Sequence, residues 1–472
     1  MQRRGILIGG KWTDGSESFE VRSPFSGKEL AEVGSAGVSE TQSAISSALS
    51  AAREMRSLSR FQIAEGLRAI ADGIKARKDE FSTLIAQEAG KPLMYARGEV
   101  ERGISTFSWA AGEAERFTGE IVPVDIQPNG RYRSAYTRRI PRGVIYGITP
   151  FNFPLNLVAH KVAPALAAAN AIIIKPSPRT PLTALLLGEV FLNSGLPASA
   201  LQIVPMDVKY MEEVLDDERV GMISFTGSAE VGWKLKQSAG TKMVALELGG
   251  NAPVIIDESA DMERSLSRTT AAAFAYSGQV CISAQRIYVH EALADKWTDE
   301  FVARSSTLKR GDPLDEETQS SAMIDEKSAK RAESWVREAI ENGAELLCGS
   351  NRDGAFFDAT ILANTNPEMR VVAEEVFAPV AIVERFSNFG EAVDLANNSK
   401  YGLQAGVFTS DLNNAQFAAE NLEFGGVIIN DAPNFRVDNM PYGGMKQSGF
   451  GREGVRYAME EMSEIRVIVT EQ

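Results

Sequence analysis

The chain has 472 residues, of which 44% are apolar and 24% charged, a composition typical of a globular protein. That length exceeds one ordinary hydrophobic core and predicts two or three domains. The net charge of −14 argues against a general nucleic-acid binder. We find no secretory signal or membrane span, and two cysteines suit a reducing compartment. We therefore expect a cytoplasmic protein without nucleic-acid or membrane partners.

The first part of the chain predicts helices. Residues 39–55 and 60–89 carry apolar side chains at helical spacing. The second run ends at Gly90, and Pro92 follows, which is a common stop signal.

A regular alternation of strands and helices follows. Short apolar runs predict buried strands, and amphipathic runs between them predict helices. The strands are 171–174, 201–204, 222–225 and 244–247, and the helices are 180–193, 208–215 and 230–238. This spacing predicts a doubly wound parallel sheet.

A second alternating set starts at strand 253–256 and extends to about residue 430. It includes strands 285–289 and 380–383 and a helix over 328–342. We interpret it as a second α/β domain. Residues 121–138 instead predict a β-hairpin with a turn at Pro128-Asn129-Gly130, and 465–470 predict a terminal strand.

Two cysteines limit the choice of nucleophile. Cys281 ends the turn-like peptide Gly278-Gln279-Val280-Cys281, after an Ala-rich helical run at 270–276. Glu247 lies 34 residues upstream, before a Gly-Gly pair. A carboxylate can act as base toward a thiol or a water. A buried cysteine that behaves as a small apolar residue is the alternative, and Cys281 alone would favour it.

The small number of histidines limits the possible catalytic chemistry. The chain contains only His160 and His290, and neither has metal-ligand spacing to a cysteine. A Ser-His-Asp triad would have to use one of them. We therefore expect cysteine and carboxylate chemistry and no metal.

The Gly227-Ser228 pair falls at a strand-to-helix turn. Amide groups and the helix dipole at such a turn suit a pyrophosphate. The spacing G-S-x-x-x-G differs from the usual G-x-G-x-x-G fingerprint. A plain tight turn is the alternative.

Several motifs together resemble the aldehyde dehydrogenase superfamily, from Ile8 to the last strand. Besides the segments around Glu247 and Cys281, they are Thr149-Pro150-Phe151-Asn152-Phe153-Pro154, Phe225-Thr226-Gly227-Ser228, Glu374-Glu375-Val376-Phe377-Ala378-Pro379 and Pro441-Tyr442-Gly443-Gly444-Met445-Lys446. The resemblance implies a Rossmann-like cofactor domain (1–118 and 141–250) and an α/β catalytic domain (251–440). It also implies a small β oligomerisation flap (119–140 and 456–472) in a homodimer or homotetramer.

The resemblance also implies a mechanism. The Cys281 thiolate attacks an aldehyde, while the Asn152 amide and the Cys281 N–H stabilise the oxyanion. Glu247 then activates water to hydrolyse the thioester. Relatives that pass the thioester to coenzyme A tend to lack this glutamate. A catalytically silent protein, a coenzyme A-acylating enzyme and a reductive enzyme are the alternatives.

The implied cofactor is NAD or NADP. Lys175 contacts the adenosine ribose, Glu375 the nicotinamide ribose, and Phe377 walls the nicotinamide. NAD-preferring relatives often carry Glu three residues after the lysine, where this chain has Pro178 and then Arg179. That departure leaves room for NADP. The other implied contacts are Thr149, Pro150, Phe151, Ser177, Thr226, Gly227, Ser228, Val231 and Leu248.

The substrate positions, carried over from the resemblance, are Arg102, Phe153, Asn156, His160, Ile282, Arg436 and Tyr442. A buried arginine without a partner is costly, so an anionic substrate could supply one. Residues 434–441, around Arg436, resemble relatives that act on lactaldehyde and on phosphorylated or sulfonated three-carbon aldehydes. Succinate semialdehyde is an aldehyde of the same type. The alternative is a neutral polar pocket, in which Arg436 pairs with Asp438 and Arg102 with Glu99 or Glu101.

Overall fold

The computed structural model describes residues 3–471. Its first sheet has eight strands, of which the central five run parallel and the three outer ones antiparallel. Their spatial order is Gly449–Phe450, Met243–Glu247, Val220–Thr226, Val144–Ile148, Ala171–Lys175, Leu201–Ile203, Ile6–Ile8 and Lys11–Thr13.

Helices cover both faces of the first sheet, which explains why Val144–Ile148 and Ala171–Lys175 are buried along their whole length. The helices of this half are Val38–Ser57, Arg60–Ala76, Lys78–Ala89, Leu93–Arg116, Asn156–Ala167, Leu182–Phe191, Glu212–Leu215, Ala229–Ser238 and Val455–Glu461.

Three helix predictions need correction. The run 60–89 is two helices, because Arg77 leaves the helical region at φ −112° and ψ 25°, although Gly90 ends the second in the left-handed conformation as expected. Helix 180–193 shortens to Leu182–Phe191, preceded by Pro181. Residues 208–215 split into a 3₁₀ turn, Val208–Tyr210, and a single α-turn.

The second sheet has seven strands, all parallel except for the first, at one edge. Their order is Glu345–Cys348, Thr360–Ala363, Val380–Phe386, Ala284–His290, Ala252–Ile256, Gln404–Phe408 and Gly426–Ile429. The helices of this half are Met262–Phe274, Glu291–Ser306, Glu326–Glu341, Arg370–Ala373, Phe389–Asn397 and Leu412–Asn421. Two parallel sheets of this kind match the predicted fold class.

A third sheet joins the predicted hairpin to the end of the chain. Ser463–Glu471 pairs antiparallel with Arg133–Pro141 over nine residues, and Ile121–Val122 lies on the other side. The two predicted segments therefore pair with each other within one chain. The turn at Pro128–Gly130 is a short 3₁₀ helix inside a longer connection. Ile465, Val467 and Val469 remain exposed.

Smaller strands complete the described structure. They are Arg3–Arg4, Glu17–Arg22 and Glu29–Ser35 in one sheet, Arg352–Asp353 with Phe356–Phe357, and Tyr401–Gly402 with Met445–Lys446. Among residues 3–471, no helix combines the length and apolarity needed to cross a membrane.

Candidate active site

A strained loop carries the Cys281 thiol. The preceding helix ends at Phe274, and Tyr276, Ser277 and Gly278 then adopt positive φ angles of 50°, 52° and 67°. A side chain at Gly278 would collide with the Ala378 carbonyl, since a Cβ would lie 2.1 Å from its oxygen. Such strain persists only where the surroundings over-determine the backbone.

Buried hydrogen bonds supply that constraint. The Tyr276 hydroxyl donates to the Ala89 carbonyl at 2.8 Å, and the Ser277 hydroxyl donates to the Ser321 carbonyl at 2.7 Å. The Gln279 side chain accepts from the Ile324 N–H at 2.9 Å. The loop thus presents Cys281 from a rigid support.

The thiol environment is mostly apolar. Cys281 Sγ lies 3.2 Å from the Tyr442 hydroxyl, and both residues pack with Val280 and Ile282. Burial raises the pKa of Cys281 to about 12, outweighing the opposite effect of the Tyr442 hydrogen bond. The resting residue is therefore a thiol that must lose its proton before it can act.

Asn152 comes from the turn after strand Val144–Ile148. Its Nδ2 donates to the Gln279 carbonyl at 2.9 Å, beside the cysteine loop, while its buried Oδ1 has no partner within residues 3–471. The amide has a second N–H hydrogen. Asn152 and the Cys281 loop thus lie together, as the motifs predicted.

Glu247 ends strand Met243–Glu247 and is buried. Burial, followed by the negative charge of Glu453, raises its pKa well above the ordinary range. Arg436, Lys161 and Arg452 oppose this shift. One carboxyl oxygen, Oε2, has no hydrogen-bond partner in the described chain. This environment disfavours the charged carboxylate and makes Glu247 a stronger base than an exposed glutamate.

Two cavities meet at the thiol. One, which we call the polar cavity, is lined by Arg102, His160 and Arg436 among others and has a volume of about 270 Å³. The other, which we call the glycine-turn cavity, is lined by Gly227 and Ser228 among others and has a volume of about 470 Å³. Cys281 and Leu157 line both, and Asn152 lines the second. A ligand in either cavity can therefore reach the sulfur.

The glycine-turn cavity fits a nicotinamide dinucleotide. The buried Thr226 hydroxyl has no partner among the described residues, and Ser228 precedes helix Ala229–Ser238 without a side-chain cap. Glu375 accepts from the Gly250 N–H at 2.9 Å, and a Cβ on Gly249 would lie 2.3 Å from its carboxyl oxygen. Burial raises the pKa of Glu375 to about 7.

Most predicted cofactor contacts lie around these spaces. Pro150, Phe151, Thr226, Gly227, Ser228, Leu248, Glu375 and Phe377 line the glycine-turn cavity. Lys175, Pro178 and Arg179 line a separate cavity of about 560 Å³. Thr149, Ser177 and the exposed Val231 line neither.

The Arg179 guanidinium already has a protein partner. Its Nη2 donates to Asp325 at 2.9 Å, so a phosphate would have to compete for it. The buried Lys175 keeps a lowered pKa because burial disfavours its charge, despite the attraction of Asp207.

All seven predicted substrate positions line the polar cavity; they are Arg102, Phe153, Asn156, His160, Ile282, Arg436 and Tyr442. Buried polar atoms of three of them have no partner within residues 3–471. These atoms are Arg102 Nε, Arg436 Nε and both amide atoms of Asn156. These atoms are buried within the wall, and it is the arginine and asparagine side chains lining the cavity that suit a ligand with acceptor oxygens.

The ion pairs of the two cavity arginines differ both from the expectation of no protein partner and from the alternative pairings. Arg102 pairs with Asp438 at 2.9 Å, and Arg436 pairs with Glu453 at 3.1 Å. Glu99 pairs with Lys91 instead, and Glu101 with Lys78. The predicted pairings were therefore wrong, and so was the premise that the arginines lack protein partners.

Sequence reasoning missed several residues at the site. Arg331 and Tyr401 line the glycine-turn cavity, and the buried Lys91 lines the polar cavity under the Phe153 ring. Lys91 could have been suspected from the Gly90-Lys91-Pro92 peptide, where a charged residue follows a buried helix. Arg331 lies on an amphipathic helix and gives no local signal.

Comparison with known proteins assigns the class. Residues 12–468 match the model of the aldehyde dehydrogenase family. The chain is 42% identical to the 3-sulfolactaldehyde dehydrogenase of Priestia aryabhattai over 470 residues, covering 99% of this chain and 98% of the relative. The chain belongs to the aldehyde dehydrogenase family.

Solved structures agree. Aldehyde dehydrogenase 21 from Physcomitrella patens, in complex with the reaction product succinate, superposes with a TM-score of 0.98 and 41% identity, covering 100% of this chain and 98% of that one. Glyceraldehyde-3-phosphate dehydrogenase GapN from Methanocaldococcus jannaschii, complexed with NADP, gives 0.93 and 40%, covering 97% and 100%. The protein is an NAD(P)-dependent aldehyde dehydrogenase, and both the resemblance and the fold class are confirmed.

Proposed function

We propose that this enzyme oxidises a small polar or anionic aldehyde to the carboxylic acid, with Cys281 as nucleophile. The observation that carries the proposal is the position of Cys281 between the polar cavity and the glycine-turn cavity. A thiol there reaches an aldehyde on one side and a dinucleotide on the other.

Cys281 and Asn152 perform the first step. The sulfur, once deprotonated, adds to the aldehyde carbon, and its electron pair forms the C–S bond of a thiohemiacetal. The Asn152 N–H that does not bind Gln279 is available to the developing oxyanion. A single donor of this kind is typically worth about 3 kcal/mol.

Glu247 acts in the second half of the reaction, the hydrolysis of the thioester. Its carboxylate takes a proton from a water, whose oxygen adds to the thioester carbon. The C–S bond then breaks with its electron pair on sulfur, which releases the acid, and the proton that Glu247 accepted restores the Cys281 thiol. The raised pKa of Glu247 makes its carboxylate a stronger base toward this water.

Different residues would bind different parts of the dinucleotide. Thr226, Gly227 and Ser228 would hold the pyrophosphate, Glu375 the nicotinamide ribose and Lys175 the adenosine ribose. Phe377, with φ at 50° and its ring 5.9 Å from that of Phe151, forms the wall against the nicotinamide. When bound, the cofactor accepts the hydride that leaves the thiohemiacetal carbon.

The substrate class follows from the polar cavity. Arg102, Arg436 and Asn156 line it and favour a ligand with carboxylate, phosphate or sulfonate oxygens. A cavity of about 270 Å³ suits a short molecule. Similar proteins that act on 3-sulfolactaldehyde and glyceraldehyde 3-phosphate, and one solved with succinate as its reaction product, support the same class.

An aldehyde panel tests the proposal. The purified enzyme is given lactaldehyde, glyceraldehyde 3-phosphate, succinate semialdehyde, hexanal and benzaldehyde, each with NAD and with NADP, and reduced nicotinamide is followed by absorbance. We expect the polar and anionic aldehydes to have the highest kcat/KM and coenzyme A to leave the rate unchanged. Hexanal as best substrate would contradict the proposal.

The proposal also covers the oligomeric state and the cellular location of the enzyme. We propose a homo-oligomer, a dimer or tetramer, that associates through the third sheet, because its terminal strand exposes apolar side chains. We also propose a cytoplasmic location, which the two unpaired cysteines support.

A further inference from the structure

Asp438 connects the two arginines of the polar cavity. Its Oδ1 accepts from Arg102 Nη2 at 2.9 Å and from His160 Nε2 at 3.0 Å. Asp438 is 4% exposed and lies behind these two lining side chains. One carboxylate oxygen therefore fixes two walls of the cavity that are 58 residues apart in sequence.

His160 extends the connection to Arg436. With its proton assigned to Nε2, the imidazole donates to Asp438 and leaves Nδ1 as an acceptor. Arg436 Nη2 lies 3.1 Å from that nitrogen and 3.1 Å from Glu453 Oε2. The Arg436 guanidinium also lies 3.7 Å over the Tyr442 ring. His160 Nδ1 also lies 3.3 Å from Glu453 Oε2, so Asp438 holds one edge of the imidazole while Arg436 and Glu453 meet the other.

We propose that Asp438 is a positioning residue for aldehyde specificity, holding Arg102 directly and Arg436 through His160 so that both guanidinium groups receive an anionic substrate. The inference rests on the proposed function and deepens it. Each arginine uses an Nη2 atom in this network and keeps a buried Nε without a partner in the described chain. The network thus fixes the guanidinium planes while leaving donors unused.

The charge of Asp438, and not only its shape, is needed. An asparagine there could donate to His160 Nε2, which would move the imidazole proton to Nδ1. That N–H would then face Glu453 Oε2 and compete with Arg436 Nη2 for it, and Arg436 would lose Nδ1 as an acceptor. Arg102 would lose its carboxylate partner in the same change. A neutral substrate, which needs neither guanidinium, should be little affected.

The test compares Asp438→Asn with wild type, using succinate semialdehyde and glyceraldehyde 3-phosphate as anionic probes and lactaldehyde as the neutral one. We expect KM for both anions to rise about tenfold, a coupling typical within one hydrogen-bond network, with kcat and the lactaldehyde values little changed. Asp353→Asn, at the exposed Arg310 ion pair, is the matched control and should behave as wild type.

A second pair of variants covers a folding failure of Asp438→Asn. His160→Gln can donate to Asp438 and accept from Arg436, so it should keep the low KM for anions. His160→Leu can do neither and should raise it. Equal KM values for the two His160 variants, or an Asp438→Asn effect of the same size on lactaldehyde, would overturn the positioning role. A wild type whose KM for the anions is no lower than that for lactaldehyde would overturn the anionic subsite and with it the positioning role, whereas hexanal as the best substrate would refute the proposed function.

Discussion

At the scale of single residues, the two groups to which we assign the chemistry share an unusual resting state. Burial raises the pKa of Cys281 to about 12 and that of Glu247 well above its ordinary range. The folded chain therefore favours the protonated form of both groups. Since nucleophile and base are both deprotonated forms, activity should increase as pH rises.

Substitution of Cys281 tests its assignment as the nucleophile. Cys281→Ala should abolish turnover and leave cofactor binding intact, because the sulfur forms the covalent bond. Cys348→Ala, at the other cysteine, is the matched control and should retain full activity. Cofactor titration and steady-state assays measure both variants. Normal turnover by Cys281→Ala would disprove the mechanism.

Glu247→Gln should slow deacylation more than hydride transfer, because glutamine cannot take a proton from water. A general base typically contributes about 10²–10⁴-fold. A rapid-mixing experiment should therefore show a burst of reduced cofactor followed by a slow steady state. Loss of the burst together with the steady rate would place Glu247 before hydride transfer.

Glu375 predicts a pH-dependent cofactor affinity. Its pKa is raised to about 7, and its carboxylate form, present above that pH, is the one that accepts bonds from ribose hydroxyls. The cofactor Kd should therefore increase as pH falls through about 7. Glu375→Gln should bind more weakly at high pH and lose this dependence. Fluorescence titration on both sides of that pH measures it, and an unchanged slope in the variant would contradict the assignment.

Arg436 should discriminate between substrates by charge. Arg436→Leu should raise KM for anionic aldehydes at least about tenfold, since losing one partner of a buried charge pair commonly costs 2 kcal/mol or more. Neutral aldehydes should be spared. Arg385→Leu, at an exposed ion pair with Asp295, is the control. An equal effect on neutral and anionic aldehydes would argue for a structural role.

At the scale of elements, we propose that the turn after strand Ala171–Lys175 sets the choice between NAD and NADP. It places Pro178 where a carboxylate would repel a 2′-phosphate, so we expect NADP to be used at an efficiency comparable to that of NAD. Pro178→Glu should lower kcat/KM for NADP only. Asp325→Asn should raise it by freeing Arg179. A wild-type preference for NAD of several orders of magnitude would refute this.

Much of the element pattern was predictable, because buried parallel strands leave strong local signals. Four apolar runs of the first sheet were placed to within two residues at each end. The break at Arg77 could not be predicted, since no glycine or proline marks it and the next helix continues almost at once. The return of Gly449–Phe450 to the first sheet depends on tertiary contacts.

The candidate site was predictable in position and poorly predictable in pairing. Motif order placed Asn152, Glu247 and Cys281, and the structure brings their segments together. Arg102 and Asp438 are 336 residues apart, and nothing local in sequence selects that pair over Arg102 with Glu99. Ion-pair choice depends on the distance between side chains in the folded chain, and spacing along a helix predicts it only for neighbours.

At the scale of the whole molecule, the third sheet should govern assembly. Ser463–Glu471 is its edge strand and exposes Ile465, Val467 and Val469 at 64%, 57% and 53%. An apolar edge of this length invites pairing with a second copy. Val467→Lys should lower the oligomeric state in sedimentation velocity, and Arg466→Lys should not. A monomeric wild type would disprove this.

The narrow contact between the polar cavity and the glycine-turn cavity has an evolutionary consequence. Across residues 3–471 the two spaces share Cys281 and Leu157 and otherwise have separate walls. Substitutions more than about 7–10 Å apart without shared partners usually act additively. A duplicated gene could therefore acquire a new aldehyde while its redox metabolism stays the same, or exchange one nucleotide pool for another while its substrate stays the same. Divergence along either path need not pass through an inactive ancestor.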